Sequence, residues 1–166
     1  NATRLNPITF SISKHLLPIY NKPMIYYSIS TVMKAGIRNF LIITKPQDLI
    51  SYRNLLGDGR RFGIKIIYKT QSEPRGLPDA FILGKKFISN EPICLNLGDH
   101  IFFGRDVDKK LNYLVKNFTK STIFTFYSKN PNSYGVLYKN KLDKKKIIEK
   151  PKKLISNKII CGIYFF

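Results

Sequence analysis

The sequence predicts an α/β fold, with a mixed and mostly parallel sheet covered by helices on both faces. Three observations predict it. Segments of helical and of strand periodicity alternate as far as Tyr127. The connections between them are short, as strand–helix–strand units require. After Tyr127 the pattern changes to extended segments alone, which makes the sheet mixed rather than purely parallel.

Each element follows from local chemistry. Pro23 suits the first turn of a helix and Gly36 its end, and between them Ile25, Ile29, Val32 and Met33 form an apolar stripe at helical spacing. Phe40 to Thr44 is a short apolar run that stops before Pro46, a buried strand. Gln47 to Leu56 reads as helix, closed by Gly57, and Ile64 to Tyr68 as strand. Leu77 to Ile88 reads as helix, with Pro78 in its first turn. Ile93 to Leu97 is the next strand and delivers Gly98-Asp99 at its end. Val107 to Phe118 is a helix with Leu111, Leu114, Val115 and Phe118 inward, and Thr122 to Tyr127 a strand. Gly135 to Tyr138, Lys146 to Glu149 and Ile159 to Phe166 are extended. Asp143 to Lys153 is dense in lysine but interrupted by Ile147 and Ile148, the pattern of a solvated hairpin. In open parallel sheets ligands sit beyond the carboxyl ends of strands. Asp99, the residues after Thr44, and those after Tyr68 with Gln71 and Gly76 occupy such ends. Three strand ends are therefore expected to converge on one cleft.

A length of 166 residues suffices for one domain with a sizeable core, and 43% hydrophobic content excludes a disordered chain. The net charge of +19 invites a nucleic-acid or acidic-membrane reading. Lysine far outnumbers arginine, however, and the lysines are scattered over every segment, while base readout and bidentate phosphate grip favour arginine. Abundant Lys, Ile, Asn, Phe and Tyr with no Trp point instead to compositional drift in an AT-biased genome. Specific nucleic-acid and membrane partners are not expected. No apolar stretch approaches the ~18 residues of a membrane span, and no secretory leader pattern is present. Cys94 and Cys161 lie in apolar runs without a second Cys or a His at metal-ligand spacing, so both are expected to be buried free thiols in a reducing, cytoplasmic setting.

The opening of the chain holds the first functional signal. Arg4 and Lys14 stand ten residues apart in a segment broken by Pro7 and Pro18, a loop that holds positive charge beside an anion. Asp99 closes an apolar run where a metal ligand would stand. A hard cation such as Mg²⁺ wants carboxylate and phosphate oxygens. Taken alone, exposed cations are ordinary, an Asp after a strand is a turn former, and Glu149-Lys150 is an exposed ion pair of little worth.

The runs around these residues carry more. Thr3-Arg4-Leu5, Ser13-Lys14-His15-Leu16-Leu17-Pro18, Leu97-Gly98-Asp99-His100-Ile101-Phe102-Phe103-Gly104 and Glu149-Lys150-Pro151-Lys152 stand in an order that closely resembles the sugar-1-phosphate nucleotidylyltransferases, above all the glucose-1-phosphate thymidylyltransferases. The resemblance covers essentially the whole chain. It implies a Rossmann-like three-layer α/β/α fold of the nucleotide-diphospho-sugar transferase type. It also implies transfer of a thymidylyl group from dTTP to glucose 1-phosphate, giving dTDP-glucose and pyrophosphate, the first step toward dTDP-rhamnose and related deoxysugars. Such chemistry rests on positioning, cations and a metal rather than covalent catalysis. By resemblance, Arg4 and Lys14 are catalytic and neutralise the triphosphate. Ala2, Thr3, His15, Gln71, Gly76 and Asp99 join them in binding the nucleotide, with Gln71 and Gly76 reading the base. Asp99 binds Mg²⁺. His100, Gly135, Glu149, Lys150 and Ile160 hold the sugar phosphate, and the full-length enzyme is a homo-oligomer.

Several positions depart from the family pattern. Ala2 stands for the last Gly of the phosphate loop, His15 for a Gln, His100 for an Asn and Asp79 for a Gln. The first strand and first loop glycines are missing, as is the later half with its second metal-binding Asp. The chain therefore reads as one nucleotidyltransferase domain over 1–166, truncated at both ends. Two other readings stay open: an inactive remnant of such an enzyme, and a basic nucleic-acid-binding domain.

Overall fold

A computed structural model of the chain describes residues 5–73, 75–104, 106–140 and 142–166. The chain forms two compact units, one of residues up to Pro92 together with Ile101–Phe118, the other of Ile93–His100 and Thr119–Phe166.

In the first unit, short 3-10 turns at Ile8–Phe10 and Lys14–Leu16 lead into a two-residue ladder, β1 (Pro18–Ile19) against β2 (Lys22–Pro23). Pro23 fixes the entry to α1 (Met24–Lys34), whose buried face carries Ile25, Ser28, Ile29, Thr31 and Val32. Beyond it, β3 (Asn39–Thr44) pairs in parallel with β4 (Lys65–Thr70), in register from Asn39↔Lys65 to Thr44↔Thr70. The crossover between them is α2 (Leu49–Leu56), ended by Gly57 at a φ of 60°, whose N–H donates to Arg53 O. At Gly59 a Cβ would lie 2.8 Å from both Ile64 O and Ile66 Cγ1, and its φ is +87°, so conformation and space both demand glycine. The core of this unit joins Ile25, Ile29, Tyr52, Leu56, Ile64 and Ile66. Helix α3 (Leu77–Ile88) approaches β3 at Gly84, where a Cβ would meet Leu41 Cδ2 at 3.2 Å. Helix α4 (Val107–Lys116) buries Leu111, and its Asp108 pairs with Lys34 of α1 at 3.0 Å.

The second unit is a five-stranded sheet built around β9 (Lys158–Phe165). Strand β6 (Thr122–Tyr127) runs antiparallel along one edge of β9. Strands β5 (Cys94–Asn96) and β7 (Gly135–Lys139) share the other, also antiparallel. Strand β8 (Lys145–Glu149) completes a hairpin with β7 and is exposed throughout, as its lysine-rich sequence predicts. Val136, Ile163 and Phe165 are buried.

Every predicted helix and strand is present, but a mostly parallel sheet is not what these strands build. Among the described residues β3–β4 is the one parallel pair, and the other ladders are antiparallel. The reason is topological. A parallel pair needs a crossover, and β3–α2–β4 has one. Strands β5 and β6 are also separated by a helix, and both run antiparallel to β9, hence in the same direction as each other. Yet β9 is inserted between them, with Phe165 opposite Cys94 on one side and Thr122 on the other.

Both cysteines are free, as expected. Burial pushes the Cys94 thiol up to about 12 and raises that of Cys161. Iodoacetamide at pH 8 should therefore leave Cys94 unmodified in the native chain and label it in urea, read by mass spectrometry. Because the folded thiol titrates above its unfolded value of ~8.5, its contribution is complete below that pH. It should be lost as pH rises toward about 12, seen as a falling urea midpoint.

Candidate functional site

Ala2, Thr3 and Arg4 lie outside the described residues. The motif from Ser13 to Pro18 is described in full. Ser13 precedes the 3-10 turn Lys14–Leu16, closed by Leu16 N–H to Ser13 O at 2.9 Å, and Pro18 then starts β1. The turn is anchored through Ser13, whose hydroxyl stands 3.2 Å from the Tyr52 phenol oxygen and 3.4 Å from His15 Nδ1. Tyr52 comes from α2 and is 4% exposed. Burial raises its phenol above the ordinary value, against the opposing pull of hydrogen bonds with Ser13 and Thr44. The Lys14 turn is thus tied to the middle of α2, 39 residues away.

Beyond β4, the Gln71 backbone N–H donates to Thr44 O at 2.9 Å, so the ends of the parallel pair stay joined. The Gln71 side-chain amide donates to Asp79 Oδ2 at 2.6 Å. Gly76 caps α3 at a φ of +90°, a conformation that L side chains rarely adopt. Asp79 follows in the first helical turn.

Asp99 and His100 belong to the second unit. The expected convergence of three strand ends is therefore met within the first unit by two, those of β3 and β4. His100 Nδ1 lies 3.1 Å from Asp99 Oδ1. A carboxylate has only acceptors to offer, so this nitrogen carries the proton. The imidazole packs on β9: a Cβ at Gly162 would stand 2.5 Å from its Cε1 and Nδ1, and 2.8 Å from Leu97 Cδ1. Any side chain there would have to displace the imidazole and Leu97.

The other residues that the resemblance assigns to the sugar phosphate lie on or next to three strands. Gly135 and Glu149 are register partners on β7 and β8. A Cβ at Gly135 would meet Glu149 Oε2 at 3.1 Å and Ile160 Cδ1 of β9 at 3.7 Å. Residues 135, 149 and 160 thus meet at one point, and Gly162 with its His100 ring lies two residues further along β9. Lys150 sits at a φ of 44°, its N–H donating to Tyr134 O at 3.0 Å, with Nζ 3.7 Å from Glu149 Oε1. A left-handed lysine immediately before a proline is strained, because that position favours extended backbone. Buried Pro151 and the Tyr134 carbonyl hold it, and such strain gathers at functional sites.

A family model for nucleotidyl transferases matches residues 1–166. The chain belongs to the nucleotidyl transferase family. It is 45% identical over 167 residues to the glucose-1-phosphate thymidylyltransferase of Neisseria meningitidis, covering 100% of this chain and 58% of that protein. It is 41% identical to that of Mycolicibacterium smegmatis, with the same coverage. The chain thus spans 58% of the length of these relatives. Among solved structures, a Bacillus anthracis protein crystallised with sucrose and described as a glucose-1-phosphate thymidylyltransferase superposes with a TM-score of 0.88 at 29% identity, over 99% of this chain and 66% of that one. A UDP-glucose pyrophosphorylase complexed with UDP-glucose superposes with a TM-score of 0.79 at 28% identity, over 98% and 71%. This nucleotidyl transferase chain has the α/β fold of the sugar pyrophosphorylases.

Magnesium is the expected ion at Asp99. Among the described residues no three His, Cys, Asp or Glu side chains gather where they could hold a metal. One carboxylate fits an ion that arrives on substrate phosphates, as Mg²⁺ commonly does, and does not fit an ion caged by protein alone. No described helix of this nucleotidyl transferase is long and apolar enough to cross a membrane.

Sequence reading missed the Tyr52 anchor and the role of Gly162. Tyr52 carries no motif, and only its place on the apolar face of α2 marks it as buried. Gly162 stands beside Cys161 in an extended run, where an interior glycine signals close approach. Gly162→Ala should cost about 1–3 kcal/mol by overpacking and shift the His100 imidazole resonances, measured by urea unfolding and NMR. An unchanged His100 spectrum would show that the ring has room to retreat.

Proposed function

We propose that this nucleotidyl transferase makes a nucleotide sugar: an oxygen of glucose 1-phosphate attacks the α-phosphorus of dTTP, the bond to the bridging oxygen breaks, and pyrophosphate leaves with dTDP-glucose as product. The observation that carries the reading is the meeting of Gly135, Glu149 and Ile160. Three residues assigned to the sugar phosphate from separate stretches of sequence stand within van der Waals reach of one point. Identities of 41–45% across the chain to thymidylyltransferases support the nucleotide and the sugar.

In this reading each residue has a chemical task. Arg4 and Lys14 offset the charge that grows on the departing pyrophosphate, which is where preorganised cations act most strongly. The Ser13–Tyr52 contact holds the Lys14 turn against α2, so little reorganisation is left for the reaction. Ala2, Thr3 and His15 line the nucleotide, and Gln71 and Gly76 receive its base. The exposed Glu149 carboxylate accepts hydrogen bonds from sugar hydroxyls, while the Gly135 backbone lets the sugar approach. Lys150 and His100 offer hydrogen bonds to the sugar phosphate. Asp99 would hold Mg²⁺, which when bound screens the phosphate charges and aligns them.

Calorimetric titration tests this with two ligands. Glu149→Ala should weaken dTDP-glucose by about ten-fold, the worth of a hydrogen bond to a charged group, and leave dTTP affinity unchanged. Equal losses for both ligands would remove Glu149 from the sugar. Asp99→Asn should abolish the Mg²⁺-dependence of dTTP binding. A parent chain that binds dTTP equally with and without Mg²⁺ would remove Asp99 from the metal.

A further inference from the structure

We infer that Asp79 sets which pyrimidine the nucleotide site accepts, by fixing the orientation of the Gln71 amide so that its oxygen is offered to a ring N–H, the edge presented by thymine and uracil and not by cytosine. The inference rests on the proposed nucleotide reading and adds to it the residue that sets the choice of base.

A side-chain amide has two faces of nearly equal shape, one donor and one acceptor, and either can turn toward a ligand. In a loop the choice is open unless a neighbour settles it. Asp79 settles it. Its Oδ2 lies 2.6 Å from Gln71 Nε2, and a carboxylate can only accept. Turning the amide over would set oxygen against oxygen. Nε2 is therefore committed to Asp79, and Oε1 points away from it as an acceptor.

Both partners are held from behind. The Gln71 backbone is pinned to Thr44 O at 2.9 Å. Asp79 stands in the first turn of α3, where an acid is favoured by the unpaired N–H groups and the helix dipole. The turn itself is set by Gly76 and by Pro78 at the helix start. A Gln at position 79, as in the family pattern, could donate or accept and would leave the Gln71 amide free to take either order. The acid removes that freedom.

The ligand chemistry follows. Thymine and uracil carry a donor at N3 flanked by carbonyl acceptors. Cytosine carries an acceptor at N3 and a donor amino group at C4. An outward Oε1 with the second Nε2–H beside it matches the first order. For cytosine in the same position it sets acceptor against acceptor at N3, and a buried polar mismatch discriminates more strongly than a lost contact. The Asp79 carboxylate acts through Gln71 and need not touch the base, so it is a positioning residue.

The test is the ratio of dTTP to dCTP affinity, measured by equilibrium titration with Mg²⁺ on the chain, Asp79→Asn, Asp79→Glu, Gln71→Ala and the Gln71→Ala/Asp79→Asn pair. The chain should prefer dTTP. Asp79→Asn should shrink that preference by about ten-fold, because asparagine can donate or accept. Asp79→Glu, again acceptor-only, should keep most of it. In the Gln71→Ala background Asp79→Asn should change the ratio no further, since the two act as one unit. A ratio unmoved by Asp79→Asn, including equal losses for both nucleotides, overturns the inference, as does a parent preference for dCTP. A chain that binds neither nucleotide overturns the nucleotide reading and this inference with it. A chain that binds dTTP and dTDP-glucose with a ratio indifferent to Asp79 overturns this inference alone.

Discussion

Strand β9 has to satisfy two sheet edges at once, and the second unit is arranged around that demand. Unpaired backbone groups in a buried strand cost as much as a lost hydrogen bond. Strand β6 answers one edge, while β5 and β7 divide the other. Sharing an edge fixes which residues meet. Leu97 N–H reaches Gly162 O at 2.8 Å and carries the chain on to Asp99-His100, over a glycine whose missing side chain makes room for the imidazole. At the other end, the Val136↔Ile159 pair sets β7 beside β9, so that Ile160 reaches Gly135 and Glu149. The meeting of the residues proposed for the sugar side is therefore a by-product of how one strand is paired. Between the pairs Ile123↔Tyr164 and Thr125↔Ile160 the register shifts, and the extra residues lie in β9, in the stretch that holds Gly162.

The elements were legible because proline and glycine mark their ends. Pro23 and Pro78 open helices, and Gly57 closes one with its N–H on Arg53 O. Sheet order was not legible, because periodicity reports which face of a strand is apolar and says nothing about its neighbours. The helix between β5 and β6 argued for a parallel pair, and the directions do agree. Only pairing over a long sequence separation, Thr122 and Cys94 both opposite Phe165, shows that a third strand lies between them.

The candidate site divides in the same way. Positions within a motif could be read from their order, as with Ser13-Lys14 or Gly98-Asp99. What holds them could not. Ser13 is anchored by a phenol 39 residues away, whose only mark in the sequence is its place on a helix face. Lys150 looked like half of an exposed ion pair, and its Nζ does stand 3.7 Å from an exposed Glu149. Its positive φ beneath a buried Pro151 is what sets it apart, and backbone conformation of that kind leaves no trace in composition.

The departures from the family pattern have a common physical feature. His15 lies 3.4 Å from Ser13, Asp79 receives the Gln71 amide at 2.6 Å, and His100 reaches Asp99 at 3.1 Å. Each of these three positions contacts a residue of a run singled out in the sequence, and each contact is polar; Ala2 lies outside the described residues. Here Gln became His or Asp and Asn became His, and a hydrogen-bonding partner was found each time. What changed is the order of donors and acceptors and the number of titratable groups beside the motif residues. The amide positions are neutral and can present either face, whereas an acid offers only acceptors and an imidazole takes its role from its tautomer and charge. The acid at position 79 therefore narrows the choices open to Gln71 while leaving its backbone support, the Thr44 carbonyl, in place.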